Sequence, residues 1–187
     1  MRQTIAQCAI RLFDKNGFHG TGMREIGEAA RCKMPTLYYH YNNKETLFDE
    51  VVRVAFEKMV TRLDGEIPSD LSLEEACIRR VIQKKNLDND DKIVYRLAIK
   101  TWLGFEGCEG SRKKLLEWEQ NRYSRNEKLY TEHISSPLWI KFLTRAVTGI
   151  IQRIILLEDT PTDAEIREEI SMIFLVATQH TKLDKNI

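Results

Sequence analysis

The sequence predicts an all-α protein, and three observations support this. Apolar residues recur at spacings of three and four, and few segments alternate with a period of two. Two capping boxes, Ser72 with Glu75 and Thr162 with Glu165, mark helix starts. The 187 residues include only nine glycines and four prolines. We expect about nine helices in one or two globular domains.

The N-terminal part of the sequence predicts three helices followed by one long helix. A stripe of Ile5, Ala9, Leu12 and Phe13 ends at Asn16-Gly17, where the glycine can take the left-handed conformation. Two short helices follow at about 22–30 and 33–39, joined by a tight turn. The long helix runs from about 44 to 63 after Asn42-Asn43.

Five further helices are predicted in the rest of the chain. The two capping boxes open the first and the last of them. Loops separate the others at residues 104–110 and 135–137. Their expected ranges are 72–87, 92–103, 112–134, 138–157 and 162–181.

Several protein classes are excluded by what the sequence lacks. It has no run of about 20 apolar residues, no apolar segment near Met1 and no Asn-x-Ser/Thr site, so we expect a cytoplasmic protein without a membrane span. The four cysteines are widely spaced and include no Cys-x-x-Cys, which favours buried free thiols. We expect no metal and no cofactor.

Charge is distributed unevenly along the chain. Residues 1–44 hold seven Lys+Arg against three Asp+Glu, whereas residues 45–187 hold 22 against 25. The whole-chain charge of +1 conceals this basic N-terminal segment. A basic segment attracts polyanions, which makes nucleic acid a candidate partner.

The two short helices form a helix-turn-helix pattern. Ile26, Ala30, Cys32 and Leu37 supply a small shared core, with Gly27 at the closest approach. In such a unit the second helix can enter the major groove. The polar side chains around it can donate hydrogen bonds to phosphates, and they are Thr36, Tyr38, Tyr39, His40 and Lys44.

This segment resembles the TetR family of bacterial transcriptional regulators over roughly the first 50 residues. The resemblance rests on Gly17-Phe18-x-x-Thr21, on Ile26-x-x-Ala29-Ala30, and on the run from Pro35 to Leu47 that reads Pro-Thr-Leu-Tyr-Tyr-His-Tyr-x-Asn-Lys-Glu-x-Leu. It implies a helix-turn-helix DNA-binding domain at 1–47 and a helical effector-binding and dimerisation domain at 48–187. It also implies a ligand-responsive homodimer, more commonly a repressor, on a palindromic operator in double-stranded DNA.

The resemblance assigns roles to individual residues. Tyr38, His40 and Lys44 are expected to hold phosphates. The residues expected over base edges are Arg24, Lys33, Met34, Pro35, Thr36 and Tyr39. Arg24 also has a plausible i,i+4 partner in Glu28, so a solvated salt bridge is an open alternative. Tyr38 alone can equally be a core residue of a three-helix bundle.

Three positions depart from the family pattern. Arg31 stands where the turn usually has glycine, Lys33 where Ser or Thr usually caps the helix, and Gly22 where Thr or Ser is common. A non-glycine residue at positive φ and a missing cap each cost about 1 kcal/mol. The DNA-binding domain is therefore expected to be marginally stable without its dimer or DNA.

Aromatic residues of the middle helices are expected to line the effector site. We expect an unknown small molecule at this site, because the resemblance places the ligand there. The alternative for each residue is plain core. The candidates are Met59, Tyr95, Trp102, Phe105, Trp118 and Tyr123.

The last two helices carry apolar residues on more than one face. Examples are Phe142, Ile150 and Ile154 on one helix and Ile170 and Phe174 on the other. One face can serve the chain's own core, and a second face can form an isologous four-helix interface. Burial of all these residues within one chain is the alternative.

An enzyme is not indicated. The sequence lacks Glu-x-x-His, His-x-x-x-His and Gly-x-Gly-x-x-Gly, and the Gly104–Gly110 loop carries two glutamates that would repel phosphate. The remaining alternative to a regulator is a helical small-molecule binding protein or enzyme that does not read DNA.

Overall fold

The helix boundaries follow from caps and turns, as a computed structural model of the chain shows. It describes residues 1–65, 68, 70–131, 133–134 and 136–183, with side chains to residue 178. Within these residues the fold is all-α, and the nine helices expected from the sequence are confirmed. Their bounds are α1 Arg2–Gly20, α2 Met23–Ala29, α3 Met34–His40, α4 (Lys44–Phe48, Asp49–Val54 and Ala55–Gly65), α5 Leu73–Lys85, α6 Asn89–Trp102, α7 Glu109–Thr131, α8 Pro137–Leu156 and α9 Asp163–Leu183.

Side-chain caps fix several helix starts. Asn43 accepts a hydrogen bond from the Thr46 amide at 2.8 Å. Thr162 and Glu165 form the full reciprocal box, with bonds of 2.7 and 3.2 Å to the two backbone amides. Ser72 caps α5, but the Glu75 carboxylate binds Arg167 at 2.5 Å. Predicted starts at 92 and 112 were wrong by three residues, because Asp88 caps α6 and α7 already begins at Glu109.

A glycine interrupts the first helix where the sequence predicts its end. Gly17 has φ 75° and ψ 170°, which breaks the helical path, but helical structure resumes through Gly20. Phe18 turns inward and packs against Phe48 with ring centroids 5.0 Å apart. Phe13 joins them at 5.0 Å from Phe48, so three rings from α1 and α4 form one core cluster.

The long helix α4 contains one π-helical turn, Asp49–Val54, which the sequence analysis did not predict. Arg53 holds Asp49 through two bonds of 2.6 Å and reaches Glu57 at 2.8 Å. The hydrogen bond from Arg53 lowers the pKa of Asp49 below its usual value, and Ser111 of α7 adds a bond of 2.9 Å. These charged groups thus bridge residues within and just after the wider turn.

Contacts divide the chain into two compact units. The first comprises residues 1–61 and 88–118, and the second comprises 62–87 and 119–187. In the first, Arg96 of α6 holds Asp14 of α1 at 2.8 and 3.0 Å. This division follows contacts rather than roles, so the boundary at residue 47 stays a prediction.

In the second unit, α5, α8 and α9 pack on one another. Ile78, Val81, Leu143, Ile166 and Ile170 are almost fully buried in this core. Arg153 of α8 also binds Glu169 of α9 at 2.7 Å.

The cysteines are free, as expected, but most are not fully buried. Of the four, Cys77 is buried and the other three are half-buried. The Cys77 thiol lies 3.5 Å from the Tyr130 hydroxyl in the core. Burial raises the pKa of the Cys77 thiol. No helix in the described part of the chain is long and apolar enough to cross a membrane.

Replacing Gly17 by alanine is expected to destabilise the protein by about 1 to 3 kcal/mol, because a side chain at this backbone conformation is strained. The added Cβ would also lie 2.9 Å from Oε1 of Glu106 and displace that carboxylate. Urea unfolding measures the change. Gly110→Ala is the control, since its Cβ meets nothing within 4 Å, and an equal loss in both variants would contradict the explanation.

Candidate nucleic-acid interface

The crossing of α2 and α3 is set by their small shared core. Ile26 and Leu37 are fully buried. A Cβ on Gly27 would stand 3.2 Å from the Met34 sulfur and 3.5 Å from the Cys32 carbonyl oxygen, so only glycine fits without displacement. Arg31 takes φ 51° in the connecting turn, which is the strained geometry that the sequence predicted there.

The outward face of α3 carries most of the predicted DNA contacts. Leu37 points inward, and Tyr38 and Tyr39 beside it are 48% and 84% exposed. A buried Tyr38 was the alternative, and this exposure favours the outward placement. Lys33 and Pro35 are exposed, and Met34, Thr36 and His40 are half-buried. We call these seven residues the α3 face; its exposed members are Lys33, Pro35, Tyr38 and Tyr39, whereas the Met34 sulfur lies beside Gly27 in the helix crossing.

Lys44 lies at the start of α4 and binds the end of α1. Its ammonium donates to the carbonyl oxygens of Phe18 and Thr21 at 2.8 and 3.0 Å, and lies 4.4 Å above the Phe18 ring. The Glu106 carboxylate accepts from the Phe18 amide at 3.0 Å. Lys44 thus has a structural role inside the domain, and its phosphate contact stays a prediction.

Arg24 forms the salt bridge that the sequence left open. Its Nε lies 3.1 Å from Glu28, and the two side chains are 88% and 68% exposed. Such an exposed i,i+4 pair contributes about 0.3 to 0.5 kcal/mol, so it holds the guanidinium only weakly. Arg24 stays accessible, and its contact with a base edge is a prediction that the structure does not test.

Sequence reasoning missed a polar cluster behind the α3 face. The Tyr41 hydroxyl donates to Glu50 at 3.1 Å, and Arg2 binds the same carboxylate at 2.5 and 3.2 Å. The hydrogen bonds from Arg2 lower the pKa of Glu50, and burial raises the pKa of Tyr41. This cluster ties the end of α3 to α1 and α4. Tyr41 lies inside the family-like motif from Pro35 to Leu47, and that position was the one feature of the sequence that could have indicated the cluster.

Three of the six effector candidates converge. Tyr95, Trp102 and Trp118 surround Phe56 of α4, with ring centroids 5.0, 5.6 and 4.8 Å from it. Met59 is buried on the same helix.

Two effector candidates lie apart from this cluster. Phe105 is 76% exposed and is not part of this aromatic cluster. Tyr123 belongs to the second unit, where Arg122 lies 4.9 Å from its ring. Phe56 was not among the candidates.

The described residues contain no group of three or more His, Cys, Asp or Glu side chains arranged to hold a metal ion.

Comparison with known proteins agrees with this geometry. Residues 5–51 match the family described as "Bacterial regulatory proteins, tetR family". The N-terminal domain belongs to the TetR family. Its matched segment spans α1 to α3 and the first part of α4, and so includes the whole α3 face and Lys44.

Two curated relatives of this TetR-family domain are negative transcriptional regulators of the biofilm operon icaADBC, both named IcaR. The relative from Staphylococcus epidermidis is 35% identical over 60 residues, which is 32% of this chain and 32% of that protein. The relative from Staphylococcus aureus strain Newman is 32% identical over 57 residues, 30% of this chain and 31% of that protein. The similarity thus spans about a third of each protein.

Solved structures share the fold over most of the chain. The multidrug binding protein EbrR, complexed with malachite green, has a TM-score of 0.69 at 19% identity and covers 92% of this chain and 97% of its own. Salmonella enterica GusR has a TM-score of 0.66 at 17% identity and covers 94% of each chain. At these identities the likeness concerns the fold.

The departures of this TetR-family domain from the family pattern are visible in its caps. Lys33 precedes α3 and Gly22 precedes α2, and neither supplies a side-chain cap. The first-turn amides of both helices lack the usual side-chain acceptor. Contacts from α4 join the helices of this domain. Lys44 binds the end of α1, and Glu50 binds Tyr41 at the end of α3.

Lys44→Ala is expected to lower the free energy of unfolding without DNA by about 1 to 3 kcal/mol, because two carbonyl oxygens lose a charged donor. Urea denaturation measures it. Lys33→Ala, at an exposed site, is the control and should change stability by less than about 0.5 kcal/mol. If Lys44→Ala unfolded like the unmodified protein and only its DNA affinity fell, the structural role would be wrong.

Proposed function

We propose that this chain is a sequence-specific DNA-binding transcriptional regulator, a homodimeric repressor that a small-molecule effector releases from a palindromic operator. The observation that carries the proposal is the α3 face. The hydroxyl-bearing Tyr38 and Tyr39 and the ammonium-bearing Lys33 are exposed on a helix that the buried side chains of Leu37 and Tyr41 anchor. Such groups fix a protein on phosphates and reach base edges in the major groove.

The proposed DNA contacts, which include Arg24 and Lys44 outside the α3 face, have two distinct roles. Tyr38, His40 and Lys44 hold phosphates, and Tyr39 with Arg24 reads base edges. Lys33 can donate to guanine, and Met34 can contact a thymine methyl. Repression is the favoured direction, because the curated relatives of the matched segment are negative regulators by name.

Dimerisation is proposed through α8 and α9. Of the apolar residues named from the sequence, Ile150, Ile154, Ile170 and Phe174 are buried in the chain's own core. Other apolar residues stay exposed on these helices, namely Leu138, Phe142, Met172, Leu175 and Val176. Gly149 is exposed, and a Cβ added to it would meet nothing within 4 Å. These exposed residues are what an isologous interface would cover.

The effector site is proposed at the aromatic cluster. Phe56 lies on α4, the helix that begins at Lys44 and holds the end of α1. A ligand that displaced one of the rings around Phe56 would shift α4 and, through Lys44, the α3 face. Such coupling between sites is typically about 1 to 3 kcal/mol.

A small-molecule binding protein that does not read DNA is the second candidate. The observation that favours it is the same aromatic cluster, since apolar aromatic surroundings suit organic ligands. DNA binding separates the two candidates directly.

Fluorescence anisotropy with DNA from beside the gene, against random duplex, tests the regulator. We expect a preference of about 10³ or more, two protomers per site and a steep loss of affinity between about 50 and 200 mM salt. Tyr39→Ala should cost about tenfold on the preferred duplex. Phe105→Ala, another exposed aromatic, is the control. Equal weak binding of both duplexes at every salt would count against the proposal.

Leu175→Glu is expected to convert the protein to monomers, because a charge on the exposed α9 face would be buried unpaired in the interface. Sedimentation at several concentrations measures the mass. Leu116→Glu on α7 is the matched control, since it is similarly apolar and exposed but lies in the other unit. A dimer that persists in Leu175→Glu and dissociates in Leu116→Glu would place the interface elsewhere.

A further inference from the structure

An open pocket of about 520 Å³ lies in the first unit among α1, α4 and α6. Its floor is apolar and is formed by Ala6, Ile10, Val51, Val54 and Val94. The volume suits a small organic ligand. The lining includes none of the six residues expected at the effector site, so this pocket is distinct from the aromatic cluster.

The acceptor groups at the rim of the pocket are already occupied. Glu50 receives two hydrogen bonds from Arg2 and one from Tyr41. Asp90 is paired with Arg11 at 3.4 Å. Both carboxylates therefore have an arginine counter-charge, and a cationic ligand would have to displace it.

The donor groups at the rim are available. Gln3 and Gln7 lie one helical turn apart on α1, and Lys58 lies opposite on α4. Within the described residues these three side chains form no hydrogen bond or ion pair. Lys58 is close enough to lower the pKa of Glu50, but that carboxylate is bound by Arg2 and Tyr41. An ammonium and two amides thus line the pocket without hydrogen-bond partners among the described residues.

We propose that this pocket binds a small organic acid. The carboxylate of the ligand accepts hydrogen bonds from Lys58 and from the amides of Gln3 and Gln7, and its alkyl or aryl body covers the apolar floor. The site goes beyond the proposed DNA-binding function, and it does not depend on that function.

A second observation coincides with the pocket. Glu50, Val51 and Val54 belong to the π-helical turn of α4, and all three line the cavity. Single π turns inside α-helices occur frequently at functional sites. The wider turn places Val51 and Val54 on the floor while Glu50 binds Arg2 and Tyr41 at the rim.

Isothermal titration of the full chain with octanoate tests the proposal. We expect one octanoate per chain, and about tenfold weaker binding by Lys58→Gln, because an ion-assisted hydrogen bond is replaced by a neutral one. Lys128→Gln, an exposed lysine of α7 in the second unit, is the matched control and should bind as the unmodified protein does. Octanamide, which has the same body without the charge, should bind more weakly than octanoate.

Two results would overturn the proposal. One is the absence of octanoate binding by a chain whose circular dichroism shows it folded. The other is equal octanoate affinity in Lys58→Gln and the unmodified protein, which would place the fatty acid at the aromatic cluster or elsewhere. Because the titration contains no DNA, neither result bears on the proposed operator binding.

Discussion

The ammonium of Lys44 is the contact on which the geometry of the DNA-binding domain depends. It joins the first residue of α4 to two carbonyl oxygens just beyond the Gly17 break in α1. The Glu106 carboxylate accepts a hydrogen bond from the Phe18 backbone amide. Charged side chains therefore join the end of α1 to the start of α4 and to Glu106. Within the helix-turn-helix Arg31 is strained and neither helix has a side-chain cap, so the crossing of α2 and α3 rests on their small shared core.

Much of this architecture is predictable from the sequence, because its determinants are local. Gly17, Asn43 and the Thr162–Glu165 box act within one or two turns of their own positions, and each has the predicted role. The strain at Arg31 was predictable for the same reason. The helix starts at Asn89 and Glu109 were missed, because an aspartate cap and a helix opening on glutamate and glycine carry no apolar periodicity.

Contacts distant in sequence account for what was missed at the site. Lys44 was predicted as a phosphate ligand only, and Phe18 lies 26 residues before it. Nothing in the sequence around Phe56 indicated an effector site, although the rings of three predicted effector residues surround it. The exposure of Phe105 depends on a loop whose path the sequence does not determine. Spacing alone left Tyr38 open as a core residue, and its outward placement followed only from the family-like motif.

The π turn of α4 aligns two aromatic clusters on a single helix. Phe48 packs with Phe13 and Phe18, and Phe56, eight positions later, packs with Tyr95, Trp102 and Trp118. In a regular α-helix eight residues advance about 80° beyond two full turns. When the wider turn absorbs one residue, the two phenylalanines differ in angular phase by only about 20°. One extra residue thus lets a single face of α4 serve both clusters.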